Sequence, residues 1–118
     1  MMRVAIPTYQ NRVSPVIDSC AHMLIFDIDQ AHEKERENVF LGDMPLGERC
    51  RLLRELGVGI VVCGGISETF EKLLQGSNIR LISGIAGDIE AVLAAFLTNR
   101  LDNPDFYMPG YKTPAKLS

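Results

Sequence analysis

The hydrophobic period of this chain changes near Gly47, and that change narrows the open folds more than any other feature. Before it, the apolar residues fall in short, β-branched runs of the kind that strands use. After it, Leu46, Cys50, Leu53 and Leu56 recur at helical spacing. A chain that reads first in strands and then in alternating helices and strands points to an α/β domain.

Residues 2–7 (MRVAIP) read as a strand that stops at a proline. A polar loop follows through residues 8–14 and Pro15, and residues 23–28 (MLIFDI) read as a second strand. Residues 32–41 alternate less cleanly and are read as a third strand at a sheet edge. There the charges of Glu33, Lys34, Glu35, Arg36 and Glu37 would discourage aggregation, although a helix accommodates the same run. Residues 42–47, with Pro45, break the pattern. The first helix closes at Gly57, with Glu48, Arg49, Arg51, Arg54 and Glu55 assigned to faces other than the apolar one.

Residues 59–63 (GIVVC) are a continuous apolar run bounded by glycines, the pattern of a strand buried on both faces. Ser67 is placed to cap a helix carrying Phe70, Leu73 and Leu74 that ends at Gly76. Residues 80–82 form a short strand. Asp88 then caps an amphipathic helix, with Ile89, Val92, Leu93, Phe96 and Leu97 on one face. Beyond Leu101 the tail carries Pro104, Pro109 and Pro114 and is expected to hold no regular element.

The expected order is βββαβαβα, giving a five-stranded mixed sheet with helices on its faces. An antiparallel meander would be followed by parallel strands joined by right-handed crossovers. The expected domain spans residues 1–101, with a Pro-rich tail over 102–118. Phe106, Tyr107 and Tyr111 make that tail more aromatic than a plain linker, which suits docking on a partner or an oligomer contact.

A chain of 118 residues can bury one core without staples. Its 47% hydrophobic and 23% charged residues exclude wholesale disorder. A formal charge of −3 without a basic stripe argues against nucleic acid as a partner. No apolar run approaches the roughly 18 residues of a membrane span, so no membrane partner is expected and the location is read as cytoplasmic. Cys20, Cys50 and Cys63 form an odd set without CxxC spacing, which reads as free thiols rather than a disulfide framework or zinc knuckle.

In an open α/β sheet, ligands bind beyond the carboxyl ends of the strands, which here means the loops 8–19, 64–67 and 83–88. The second (Cys63-Gly64-Gly65-Ile66-Ser67) and the third (Ser83-Gly84-Ile85-Ala86-Gly87-Asp88) are glycine turns running into helix N-termini. Such turns can offer N–H groups to an anion, and they can equally serve only as tight connections. Neither contains GK[ST] or GxGxxG, so a nucleotide site is weakly supported.

Cys50 lies on the apolar face of its helix, and Cys50→Ser is expected to cost about 1–3 kcal/mol if the hydroxyl finds no partner. Cys63 closes a buried strand at the mouth of a glycine turn, where it is either a core thiol or a soft ligand bordering a cleft. Cys20 precedes His22 by two residues, a thiol and imidazole that could bind a transition metal or a metal-sulfide surface, or be merely structural. His32 reads as solvated and Met23 as core. Ser14, Ser67 and Ser83 lack a GxSxG context, and Asp18, Asp27 and Asp88 form no acid–base motif.

Three segments, taken in order, resemble one family. They are Val4-Ala5-Ile6-Pro7 followed by Arg12-Val13-Ser14-Pro15-Val16-Ile17-Asp18, the Cys63-Gly64-Gly65-Ile66 turn, and the Gly84-Ile85-Ala86-Gly87-Asp88 turn before the last helix. Together they resemble the dinitrogenase iron–molybdenum cofactor biosynthesis family over about residues 2–101. The resemblance implies a three-layer, ribonuclease-H-like fold. It also implies small, non-catalytic proteins that carry iron–molybdenum cofactor precursors or related clusters, molybdenum–copper sulfide among them. Many members have a histidine where this chain has Val16-Ile17-Asp18, and the nearest histidine here is His22.

The leading expectation is a non-catalytic carrier of a metal-sulfur cluster of the Fe/Mo/S or Mo/Cu/S type, working with cofactor-assembly proteins. Its candidate binding residues are Asn11, Arg12, Ser14, Cys63, Gly64, Gly65, Ile66, Gly84, Ala86 and Gly87, with Cys63, Cys20 and His22 as metal ligands. Cys63→Ser would then weaken cluster binding more than Cys20→Ser, while Cys50→Ser would act through stability alone. An alternative is a module that binds a phosphorylated small molecule or a partner ATPase. A ribonuclease-H-type hydrolase ranks last, because residues 2–7 carry none of the carboxylates a two-metal site needs.

Overall fold

The computed structural model describes residues 2–109 and the backbone of residues 115–117. Its elements are β1 (Met2–Tyr9), β2 (Arg12–Val13), β3 (His22–Asp29), β4 (His32–Phe40), α1 (Leu46–Glu55), β5 (Ile60–Val62), α2 (Glu68–Gly76), β6 (Arg80–Ser83), α3 (Ile89–Leu97) and β7 (Ala115–Leu117). Single 3-10 turns occupy Ile17–Ser19 and Pro104–Phe106.

The expected strands are present as β1, β3, β4, β5 and β6, but the sheet has more than five. Its order is β4-β3-β1-β5-β6-β7, with the two-residue β2 paired to the end of β1. The tail was expected to hold no regular element. Instead Pro104 opens a 3-10 turn, where its missing N–H costs nothing, and residues 115–117 pair antiparallel with the free edge of β6. Tyr111 and Pro114, which entered the reading of the tail, lie outside the described residues.

β1, β3 and β4 form the expected antiparallel meander, while β1, β5 and β6 run parallel. The hairpins β1–β2 and β3–β4 turn on Gln10-Asn11 and Gln30-Ala31, all four at positive φ. That is the geometry of a two-residue turn matched to strand twist. β4 is the charged outer edge, and its pairing slips near Glu35, which also has positive φ.

Alternation sorts the apolar side chains to two faces. Ala5, Met23, Ile25, Val61 and Leu81 pack under Cys50 and Leu53 of α1 and Phe70 and Leu74 of α2. Val4, Ile6, Leu24, Phe26, Ile60 and Val62 pack under Ile89, Val92 and Leu93 of α3. β5 is thus buried on both sides, as its unbroken apolar run requires.

The helix starts follow local chemistry. The Ser67 hydroxyl accepts the Phe70 N–H, and the Asp88 carboxylate accepts the N–H groups of Glu90 and Ala91. Arg3 joins sheet to helix: its guanidinium donates twice to the Asp27 carboxylate and once to the Leu56 carbonyl at the end of α1.

Candidate functional site

The carboxyl ends of β1, β5 and β6 lie at one end of the molecule, and backbone hydrogen bonds stitch the three loops that leave them. Gly65 N–H donates to the Pro15 carbonyl at 2.7 Å, and Ile17 N–H returns to the Gly65 carbonyl at 3.0 Å. Gly84 and Ile85 donate to Gly64 and Cys63, and Val13 donates to Gly87. The tail completes the set, with Ala86 donating to Phe106 and Met108 donating to Gly84, both at 2.8 Å.

These bonds change the reading of the glycine turns. Gly65, Gly84 and Ala86 spend their N–H groups on the chain's own carbonyls, as Ser67 spends its on the Asp18 carboxylate. The glycines are needed for close approach: a Cβ on Gly64 would stand 2.8 Å from the Ser14 carbonyl oxygen and 3.2 Å from the Met108 sulfur. A Cβ on Gly65 would stand 3.0 Å from the Pro15 oxygen. Gly87, at φ +135°, needs to be glycine for its backbone shape.

A cleft of about 370 Å³ opens beside this stitched region. Its walls are Thr8, Tyr9, Ser14, Pro15, Val16, Ser19, Cys20, Ala21 and His22. Ser14 is buried, its hydroxyl donating to the Val16 carbonyl. Tyr9 and Val16 stand exposed at the rim, and the His22 ring leans on the exposed Phe40 ring at a centroid distance of 5.3 Å. Cys20 is buried, and burial holds its thiol above the usual thiol range despite the nearby Arg49 guanidinium. A second cavity of about 320 Å³ on the α3 side is polar, lined by Thr8, Asn11, Arg36, Asn38, Asp88 and Glu90 among others. There Arg36 is held by both Glu33 and Glu90.

The sequence candidates therefore separate. Ser14, Cys20 and His22 line the apolar cleft, and Asn11 lines the polar cavity. Arg12 is exposed, and its backbone forms an isolated antiparallel β-bridge with Asp88. Gly64, Gly65, Ile66, Gly84, Ala86 and Gly87 belong to the loops that support the cleft rather than to its lining. Cys63 was expected to border a cleft. It is fully buried in the core beside Ala5, Ile17 and Phe70, and that burial pushes its thiol far up. Among the described residues no three His, Cys, Asp or Glu side chains converge as a metal-ion ligand set, so Cys63, Cys20 and His22 do not form one.

Sequence reasoning missed Arg49, which is buried at 2% exposure instead of solvated. Its spacing from Leu46 and Leu53 put it on the buried stripe of α1, and its charge argued the other way. It also missed Tyr9 at the rim, Phe40 against His22 and Met108 near Gly64. Cys50 behaves as expected in being buried, and its sulfur meets the Ser77 hydroxyl at 3.1 Å and the Leu73 carbonyl at 3.5 Å. Met23 is core and His32 exposed, as read from the sequence.

These features define a small mixed α/β protein whose parallel-strand ends are bound into one block beside an apolar, thiol-bearing cleft. The chain belongs to the dinitrogenase iron–molybdenum cofactor family, whose profile matches residues 1–99. Among solved structures, PH0822 superposes with a TM-score of 0.79 at 25% identity, covering 84% of this chain and 91% of that one. MJ0327 from Methanocaldococcus jannaschii gives 0.72 at 20% identity over 99% and 95% of the two chains. The apo form of the orange protein from Desulfovibrio gigas gives 0.71 at 18% over 98% and 97%. The last two likenesses speak to the fold alone. No curated protein gives a significant match. Among the described residues no helix is long and apolar enough to cross a membrane.

Proposed function

We propose that this protein is a non-catalytic, cytoplasmic carrier that takes a metal-sulfur cluster as cargo in the cleft between Tyr9 and His22. The observation that carries this reading is the chemistry of that cleft: apolar walls, a thiol at Cys20 and an imidazole at His22, with no carboxylate among its lining residues. A metal-sulfide surface is large, polarisable and weakly hydrated, so it suits apolar walls, and its metals suit soft donors. A hard, hydrated ion would call for oxygen ligands instead. Family membership supports reading the cargo as an iron–molybdenum cofactor precursor or a related Mo/Fe/Cu sulfide, exchanged with cofactor-assembly proteins. We read the layered sheet as ribonuclease-H-like. Asp27, its buried carboxylate, is already paired with Arg3, which gives a nuclease reading no support. The alternative of a phosphorylated ligand or a partner ATPase loses ground because so many amides of the glycine turns are spent within the chain.

Anaerobic incubation with iron, molybdate and sulfide, or with tetrathiomolybdate and cuprous ion, tests the carrier. Desalted protein should retain metal and sulfide with a visible absorption band, and Cys20→Ser with His22→Ala should lose most of both. Protein that leaves the column free of metal, or a double variant that loads like the parent, would overturn this reading.

A further inference from the structure

Arg49 is a buried cation whose neighbours supply dipoles but no opposite charge. Its Nε donates to the Met44 carbonyl at 2.6 Å and its Nη2 to the Gly42 carbonyl at 2.9 Å. Its Nη1 donates to the Cys20 carbonyl at 2.6 Å and stands 3.6 Å from the Cys20 sulfur. Among the described residues no carboxylate lies within ion-pairing distance of it, whereas Arg3 and Arg36 both have such partners. The acidic group nearest in sequence to the cleft floor, Asp18, is turned to the Ser67 N–H.

Burying a guanidinium without a counter-charge is expensive, and three carbonyls give each of its nitrogens a partner without cancelling its charge. A clamp for the 42–44 loop explains the donors. It does not explain why the charge is left unmatched directly beneath a residue that lines the cleft. Within a low-dielectric interior that charge reaches the cleft with little screening. The lining itself supplies nothing negative to oppose it.

We propose that Arg49 determines the charge class of the cargo, selecting an anionic metal-sulfide unit over a bare soft cation. This rests on the carrier reading and deepens it: Arg49 touches Cys20 and acts on the cargo through it, as a positioning residue. An anionic cargo in the cleft would supply the opposite charge that no carboxylate among the described residues gives Arg49.

The test compares two probes on the full chain, the tetrathiomolybdate dianion alone and cuprous ion alone, against Arg49→Met and Arg49→Lys. The parent should bind the dianion, and Arg49→Met should bind it at least about tenfold more weakly. The cuprous affinity of Arg49→Met should hold or rise. Arg49→Lys keeps the charge while losing the forked clamp, so it should retain the dianion preference at a lower thermal midpoint. It also decides the matter if Arg49→Met fails to fold. Equal loss of both probes in folded Arg49→Met, or loss of the dianion in folded Arg49→Lys, would reduce Arg49 to a clamp and overturn the proposal. Undiminished dianion binding by Arg49→Met overturns it too and leaves the carrier reading standing. A parent chain that binds neither probe sinks both.

Discussion

Gly65 gives its backbone N–H to the carbonyl of Pro15, and this 2.7 Å bond joins two loops that lie fifty residues apart in the chain. The approach is so close that neither Gly64 nor Gly65 has room for a side chain. The loop that walls the cleft is therefore positioned by a residue type, and changing that type should move the wall.

Gly64→Ala should destabilise the protein by about 1–3 kcal/mol, because its Cβ would press on the Ser14 and Pro15 carbonyl oxygens. Gly47→Ala is the control. Nothing lies within 4 Å of its Cβ and the residue is helical, so stability should hold or rise by up to about 1 kcal/mol. Denaturant midpoints of the two variants would reveal the difference, and equal effects would refute the close-approach argument.

Ala31 adopts φ 63° in the two-residue turn between β3 and β4, a conformation that costs an alanine about 1–2 kcal/mol. Ala31→Gly should recover about 1 kcal/mol despite the added freedom of the unfolded chain. A thermal midpoint that falls would show that the turn does not hold this shape in solution.

The three thiols should separate by mechanism. Cys50→Ser should change stability by no more than about 1 kcal/mol, since a hydroxyl there meets the Ser77 hydroxyl and the Leu73 carbonyl. That is milder than the sequence alone suggests. Cys63→Ser places a hydroxyl in the apolar core and should cost about 1–3 kcal/mol while leaving cargo loading in place. Cys20→Ser should lower loading at nearly unchanged stability. Thermal midpoints beside metal stoichiometry would distinguish the three, and a Cys63 variant that stays stable but loads nothing would return the ligand role to that sulfur.

The Arg3 guanidinium bound to Asp27 holds that carboxyl below the usual carboxylate range. The folded state thus binds this proton less readily than the unfolded chain. The resulting stability is complete above the unfolded pKa of about 4 and disappears as pH falls through the lower folded value. Asp27→Asn should be less stable than the parent at neutral pH, and the gap in thermal midpoint should shrink below about pH 4. Glu90, likewise held low by Arg36, titrates in both proteins and cancels from the difference. A gap that stays constant with pH would mean that Asp27 contributes through packing.

What could be read from sequence was local. Ser67 and Asp88 announce helices because a cap acts within three residues of itself, and β5 announces burial through an unbroken apolar run. The loops misled because the fate of an amide depends on a partner far along the chain: Pro15 for Gly65, Gly64 for Gly84, Phe106 for Ala86. Arg49 misled for a different reason. Its spacing placed it inside and its charge placed it outside, and only the carbonyls of Cys20, Gly42 and Met44 make the first answer possible.

The bonds from Ala86 to Phe106 and from Met108 to Gly84 also set an order of events during synthesis. A ribosome releases residues 8–22 early, and the cleft wall they form leans on Gly64 and Gly65, which lean in turn on the turn after β6. That turn receives its last partners only when residues 106–108 have left the exit tunnel. A nascent chain thus carries an unfinished cleft until synthesis has run well past α3, and under the proposed carrier role loading would follow that point.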